Sequence, residues 1–147
     1  MENRKDTEHV LYLAAERGDK PALGSLIEAA FLSQKEKQKK ACRWLFSLGT
    51  HTENALTDAE RGLCLWIAGE CGCSEAWLVL SYAAREGKCG MKKDSCAAGE
   101  YALRAAETGG GYMKRCFRQA LAEGAVSLPP GSEQRASAVL SGESGHQ

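Results

Sequence analysis

Cysteine is the residue type in this chain with the greatest capacity for chemistry, and the spacing of its seven copies decides what they can do. Cys71-Gly72-Cys73, with Cys64 seven residues upstream, has the look of a metal site. Structural zinc takes four ligands and favours Cys pairs separated by two to four residues. A one-residue spacer is awkward, and no histidine lies near in sequence, so no metal and no cofactor are expected. Cys89 and Cys96 stand on either side of a loop at 87–94, and an oxidising compartment would let them close as a disulfide. Cys42, Cys64 and Cys116 fall inside expected helices, on or beside apolar faces, where cysteine behaves as a small hydrophobe.

Other catalytic groupings are missing from the sequence pattern. His9, His51 and His146 fall in an end helix, a loop and a tail. No Ser-His-Asp, Cys-His or paired-carboxylate arrangement stands out, nor does a phosphate loop. An enzyme is therefore not expected. The reading that rivals this one is a thiol- or metal-dependent enzyme built on the Cys64–Cys73 segment. One concentration of positive charge exists, Lys35, Lys37, Lys39, Lys40 and Arg43, interrupted by Glu36. It lacks a glycine-rich nest or an aromatic platform, and reads as a solvated helix face. Nineteen bases balance nineteen acids, so bulk attraction to nucleic acid or anionic membrane is absent. The first ten residues are polar with no apolar stretch behind them, which predicts neither a signal peptide nor a membrane span and points to the cytoplasm.

At 147 residues, 44% hydrophobic and 26% charged, the chain has the composition of a soluble globular domain. Apolar residues recur at helical period throughout, and no strand-like alternation appears. The periodicity predicts about seven helices, near 6–17, 20–32, 34–48, 58–71, 75–86, 95–108 and 112–123. The first should bury Val10, Leu13 and Ala14, and the second Ala22, Leu23, Leu26, Ile27, Ala30 and Phe31. The third should bury Ala41, Trp44, Leu45 and Leu48, with Gly49 as a left-handed cap. Thr57 and Glu60 form a capping-box signature for the fourth, whose inner face should hold Ala59, Leu63, Trp66 and Ile67. The fifth turns Ala76, Trp77, Leu80 and Ala84 inward. The sixth, capped by Asp94, has a narrow face of Ala98, Tyr101, Ala102, Ala105 and Ala106. The seventh turns Met113, Cys116, Phe117, Ala120 and Leu121 inward. These helices make one domain over 1–124. The segment 125–147 holds Pro129-Pro130 and several serines and glycines, and reads as a flexible tail with at most one short helix near 132–140.

Residues 76–109 resemble a Sel-one-like repeat, a relative of the tetratricopeptide repeat. The matching places are Ala76, Leu80-Ser81, Ala84, Gly87, Gly90-Met91, Asp94, Ala97-Ala98, Tyr101, Arg104, Ala105-Ala106 and Gly109. Ala84 replaces a bulky aromatic, Ala97 replaces a lysine, and the 87–91 loop is one residue longer than the common form. A looser copy runs through Ala14-Ala15, Gly18, Ala22, Leu26, Lys40-Ala41, Trp44 and Gly49. A half-copy lies at Ala68 and Gly72. The helix at 112–123 matches the first half of a further repeat, with Arg118 where a small buried residue belongs, and so implies a capping end. The fold implied is all-α, a right-handed α-solenoid of antiparallel helix pairs.

Such repeats bind partners on the concave face lined by the first helix of each pair. The resemblance therefore implies a partner-binding surface at Glu75, Leu78, Tyr82 and Arg85, with Glu28 and Phe31 on the second helix and Tyr112, Arg115 and Gln119 on the seventh. It implies a non-catalytic module that binds another protein, not nucleic acid or membrane. Within bacteria the role would be an immunity protein that neutralises a cognate toxin, or an adaptor or chaperone in secretion or signalling. Some secreted members of the family carry disulfides between paired helices, but the cysteines here do not recur at the repeat period.

Overall fold

A computed structural model of the chain describes residues 7–32 and 35–144. The described residues are all-α, and eight helices follow in order: α1 Thr7–Glu16, α2 Lys20–Leu32, α3 Lys35–Thr50, α4 Asp58–Glu70, α5 Ser74–Glu86, α6 Ser95–Thr108, α7 Gly111–Glu123 and α8 Glu133–Ser144. None is long and apolar enough to cross a membrane. The seven expected helices are all present, and α8 stands where the segment expected to be a tail was allowed one short helix. The chain divides into two compact units, Met1–Cys73 and Ser74–Gln147, in place of a single domain ending at 124.

In the first unit, α3 packs on α1, α2 and α4. Leu26 and Ala30 of α2, Ala41, Leu45 and Leu48 of α3, and Cys64, Leu65 and Ala68 of α4 are all buried. Two helices turn a different face inward from the one their apolar residues suggest. On α1, Val10 and Leu13 are exposed and Ala14 is half-buried, while Tyr12 and Ala15 are buried. Tyr12 is drawn in by its partner: its ring lies 4.4 Å from that of Trp44, which also stacks on His9 at 4.8 Å. On α4, Ala59, Leu63 and Trp66 are exposed, and Cys64, Leu65, Ile67 and Ala68 are buried. Phe31 of α2 is likewise exposed, and Ile27 and Trp44 are half-buried.

Gly49 explains the face that α4 presents. It is not a left-handed cap but a buried position inside α3, which runs on to Thr50. A Cβ at 49 would stand 2.8 Å from Leu65 Cδ2 and 3.0 Å from the Arg61 carbonyl. The missing side chain lets α4 press Leu65 against α3, and that contact fixes which way α4 is turned. The start of α4 is set by the capping box, with the Thr57 hydroxyl accepting from the Glu60 amide at 3.1 Å and the Glu60 carboxylate accepting from the Thr57 amide at 2.9 Å. The same carboxylate is paired with Lys20 at the start of α2. That ammonium, with the Thr57 amide, holds the Glu60 carboxyl below the usual carboxylate range.

In the second unit, α5 and α6 form an antiparallel hairpin. Asp94 donates its amide to the Ala84 carbonyl, Ser81 Oγ donates to the Ala98 carbonyl at 2.8 Å, and Trp77 stacks on Tyr101 at 5.8 Å. As one index falls the other rises, which is the signature of opposed chains. The small faces of the two helices meet directly: Ala76, Ala84, Ala98, Ala105 and Ala106 are all buried. Asp94 caps α6, accepting from the Cys96 and Ala97 amides at 3.0 Å each. Next, α7 packs on α6 through Phe117, which is fully buried against Ala102, Leu103 and Ala106.

Residues 125–144 are a packed part of this unit and not a flexible tail; 145–147 lie outside the described residues. Val126 and Ala136 are buried, and Leu128, Val139 and Leu140 pack on the Phe117 cluster. Ser127 donates its amide to the Ser95 carbonyl at 3.0 Å. Arg135 of α8 holds two carboxylates of α6 at once, Glu100 through both terminal nitrogens and Glu107 through Nε at 2.9 Å. Arg118 of α7 is exposed, as its charge requires, but it does not mark a bare end, because α8 packs on α7 through the neighbouring apolar face.

Candidate functional site

The surface between α5 and α7 carries a candidate site. Both helices have an inner and an outer register set by apolar periodicity. On α5, burying Ala76, Trp77, Leu80 and Ala84 turns Tyr82 outward and leaves Arg85 half-buried. On α7, burying Met113, Phe117 and Ala120 turns Tyr112, Arg115 and Gln119 outward. An open recess of about 150 Å³ results, lined by Tyr82, Arg85, Cys116, Gln119, Ala120 and Glu123.

Charge and ring contacts organise the recess. The Arg85 guanidinium lies over the Tyr82 ring, 4.8 Å from its centre. Such a contact holds the cation in place without neutralising it. Gln119 donates its amide to the Glu123 carboxylate at 2.8 Å. Tyr112 sits beside Cys116, and the hydrogen bond between them, with charge on Cys116 and on Tyr82, holds the Tyr112 phenol above the usual tyrosine range, while Arg115 opposes that shift. Tyr112 and Arg115 therefore border the group that Tyr82, Arg85 and Gln119 form.

Three of the nine surface residues read from the sequence, Tyr82, Arg85 and Gln119, line the recess, with Tyr112 beside its Cys116 and Arg115 next to Tyr112 on α7. Glu75 is exposed at the start of α5 and Leu78 is half-buried; neither lines the recess. Glu28 and Phe31 are exposed on α2, in the other unit. Cys116 and Glu123 were not expected among the lining residues. The signal for them is the spacing 112, 116, 119 and 123, which is one helical stripe; Cys116 was assigned to the inner face and is half-buried at its edge.

The cysteines look unlike a reactive centre. All seven are in the thiol form, and Cys89 and Cys96 are not joined in a disulfide. Among the described residues, no three or more His, Cys, Asp or Glu side chains are arranged to hold a metal ion. Cys42, buried on α3, faces Cys71 and Cys73: burial first, and then a hydrogen bond with Cys71, push its thiol well above the ordinary range. Cys71 Sγ in turn donates to the Ala30 carbonyl at 3.3 Å. Burial pushes the Cys64 thiol up to about 12, with Glu60 adding to the shift. At pH 7.5 its thiolate fraction is then about one in ten thousand or less. Labelling with an aromatic disulfide reagent at that pH, read by mass spectrometry, should modify exposed Cys96 within minutes and leave Cys42 and Cys64 untouched until the chain unfolds. Labelling of all three at one rate would contradict this burial pattern.

The lysine cluster of α3 matches its sequence reading in one respect. Lys35, Lys37, Lys39, Lys40 and Arg43 are all exposed. The described residues form an all-α chain of packed helices with a polar recess between two of them. No family model, curated protein or solved structure matches the chain.

Proposed function

We propose that this chain is a non-catalytic helical-repeat module that binds a partner protein in the α5/α7 recess. The observation that carries the reading is the convergence of Tyr82, Arg85 and Gln119 on one recess, with Tyr112 and Arg115 at its border. Tyrosine and arginine are the types that most often anchor protein interfaces, since each offers a large contact area and a directed polar group. The resemblance to Sel-one-like repeats fits the same reading, because those repeats use the first helix of each pair for binding. Within that class the role is that of a bacterial immunity protein holding a cognate toxin, or an adaptor or chaperone, in the cytoplasm.

A thiol- or metal-dependent enzyme at Cys64–Cys73 is less well supported. A nucleophilic thiol needs a depressed pKa, and burial moves Cys64 the other way.

The test compares affinity capture on wild type with capture on a Tyr82→Ala/Arg85→Ala double variant. A genuine partner should be retained stoichiometrically by wild type and lost by at least about 90% on the variant, as removal of two anchor residues costs about 2–4 kcal/mol. Capture that survives both substitutions would show that the recess is not the binding surface. Circular dichroism of the variant guards against loss through misfolding.

A further inference from the structure

We propose that the segment the α5/α7 recess accepts is acidic, with carboxylates that pair with Arg85 and Arg115. This rests on the reading of the recess as the partner-binding surface, and adds the chemistry of what it binds.

Polarity is the first support. Of the six lining residues only Ala120 is aliphatic, and the others offer a phenol, a guanidinium, a thiol, an amide and a carboxylate. A greasy helix laid into such a recess would strand those groups without partners, and each one buried that way opposes binding. The natural occupant brings polar or charged groups of its own.

Charge gives the direction. Arg61, Arg104 and Arg135 each have a carboxylate within ion-pair distance. Among the described residues, Arg85 and Arg115 have none. Arg85 is also half-buried and held over the Tyr82 ring, so part of the entropic cost of fixing it has been met before binding. The recess does contain one carboxylate, Glu123, which the Gln119 amide holds on its own helix without cancelling its charge. Beyond the recess, α7 carries Lys114, Arg115 and Arg118 against that single acid. A basic segment would face two uncompensated guanidiniums. An acidic one meets them in bidentate geometry, the strongest arrangement open to arginine. The exposed phenol of Tyr82 stands beside Arg85 as a further donor to carboxylate oxygens.

The inference is tested with random twelve-residue peptides displayed on phage and selected on the intact chain. The expected result is enrichment of sequences with a clear excess of Asp and Glu. One enriched peptide, made synthetically, should bind at least about tenfold more weakly to Arg85→Gln and to Arg115→Gln, and more weakly again as salt rises from about 50 to about 300 mM. Arg115 is exposed on α7, so its variant reports even if Arg85→Gln perturbs folding. Acidic peptides insensitive to both variants overturn the pairing. Enriched peptides that are neutral or basic but still require Tyr82 overturn the charge inference alone and leave the recess reading standing. Enrichment of no peptide overturns both.

Discussion

Phe117→Ala should destabilise the second unit by about 3–5 kcal/mol, the largest single effect expected from a side-chain truncation in this chain. Phe117 is fully buried, and the residues in its cluster include Ala102, Ala106 and Ala136. Alanines have no rotamers with which to close over a void, so the space left by the ring would persist and carry its full cavity penalty. The larger neighbours that could lean in are Leu103, Leu121, Leu128, Val139 and Leu140. Since a typical domain is stable by about 5–15 kcal/mol, such a loss takes much of the margin. Urea unfolding of wild type and variant measures it. Phe117→Leu, which keeps most of the volume, should cost about 1–1.5 kcal/mol. If Phe117→Ala shifts the curve by less than about 1 kcal/mol, the ring does not pack as described.

The second large effect comes from adding a methyl group. Gly99 lies in α6 where residues 125–128 cross it, and a Cβ there would collide with the carbonyl of Ser127. The obstacle is backbone, and it is tied to Ser95 through the Ser127 amide and through the two hydroxyls at 3.1 Å. It cannot swing aside as a flexible side chain would. In an exposed helix interior, Gly→Ala is worth about 1 kcal/mol in favour of the helix. Here overpacking, about 1–3 kcal/mol and more against fixed backbone, outweighs that gain. Gly99→Ala should therefore lower the thermal midpoint by several degrees and speed hydrogen exchange in 125–144 before it does so in α5. Gly24→Ala is the matched control: a Cβ there meets nothing within 4 Å, and it should leave the midpoint unchanged or raise it. Equal behaviour of the two variants would be incompatible with the crossing at Gly99.

The hairpin of α5 and α6 was the most legible part of the chain, and the reason is compositional. Large and small apolar residues there fall on one side and charges on the other, so the period alone selects a face. In α1 and α4 it does not. Residues 10–15 and 63–68 are unbroken apolar runs, apolar nearly all round the helix, and any face satisfies the pattern. What decides the matter is shape: the Trp44 ring for α1, and the notch at Gly49 for α4. A glycine in sequence signals an ending or a close approach equally well, and at Gly49 the second applies. The segment after 124 misled in the opposite sense. Its prolines and serines are polar enough to read as loose, yet Val126, Leu128, Ala136, Val139 and Leu140 are few and well placed. The recess was half legible. Outward positions on α5 and α7 could be counted, and Tyr82 and Arg85 are one turn apart on α5, but that the stripe at 116, 119 and 123 comes to face them depends on how the two helices are placed across α6.

Glu60 shows how folding in the first unit can be made conditional. One carboxylate completes the cap that begins α4 and also holds Lys20 at the start of α2. Its lowered pKa means that both attachments stabilise the unit above the carboxyl's unfolded value and disappear together as pH falls through the folded one. A helix start is usually a local event, decided within one turn. Here it is rewarded in full only once a residue forty positions earlier has arrived, so the side chain works as a coincidence gate between two helices.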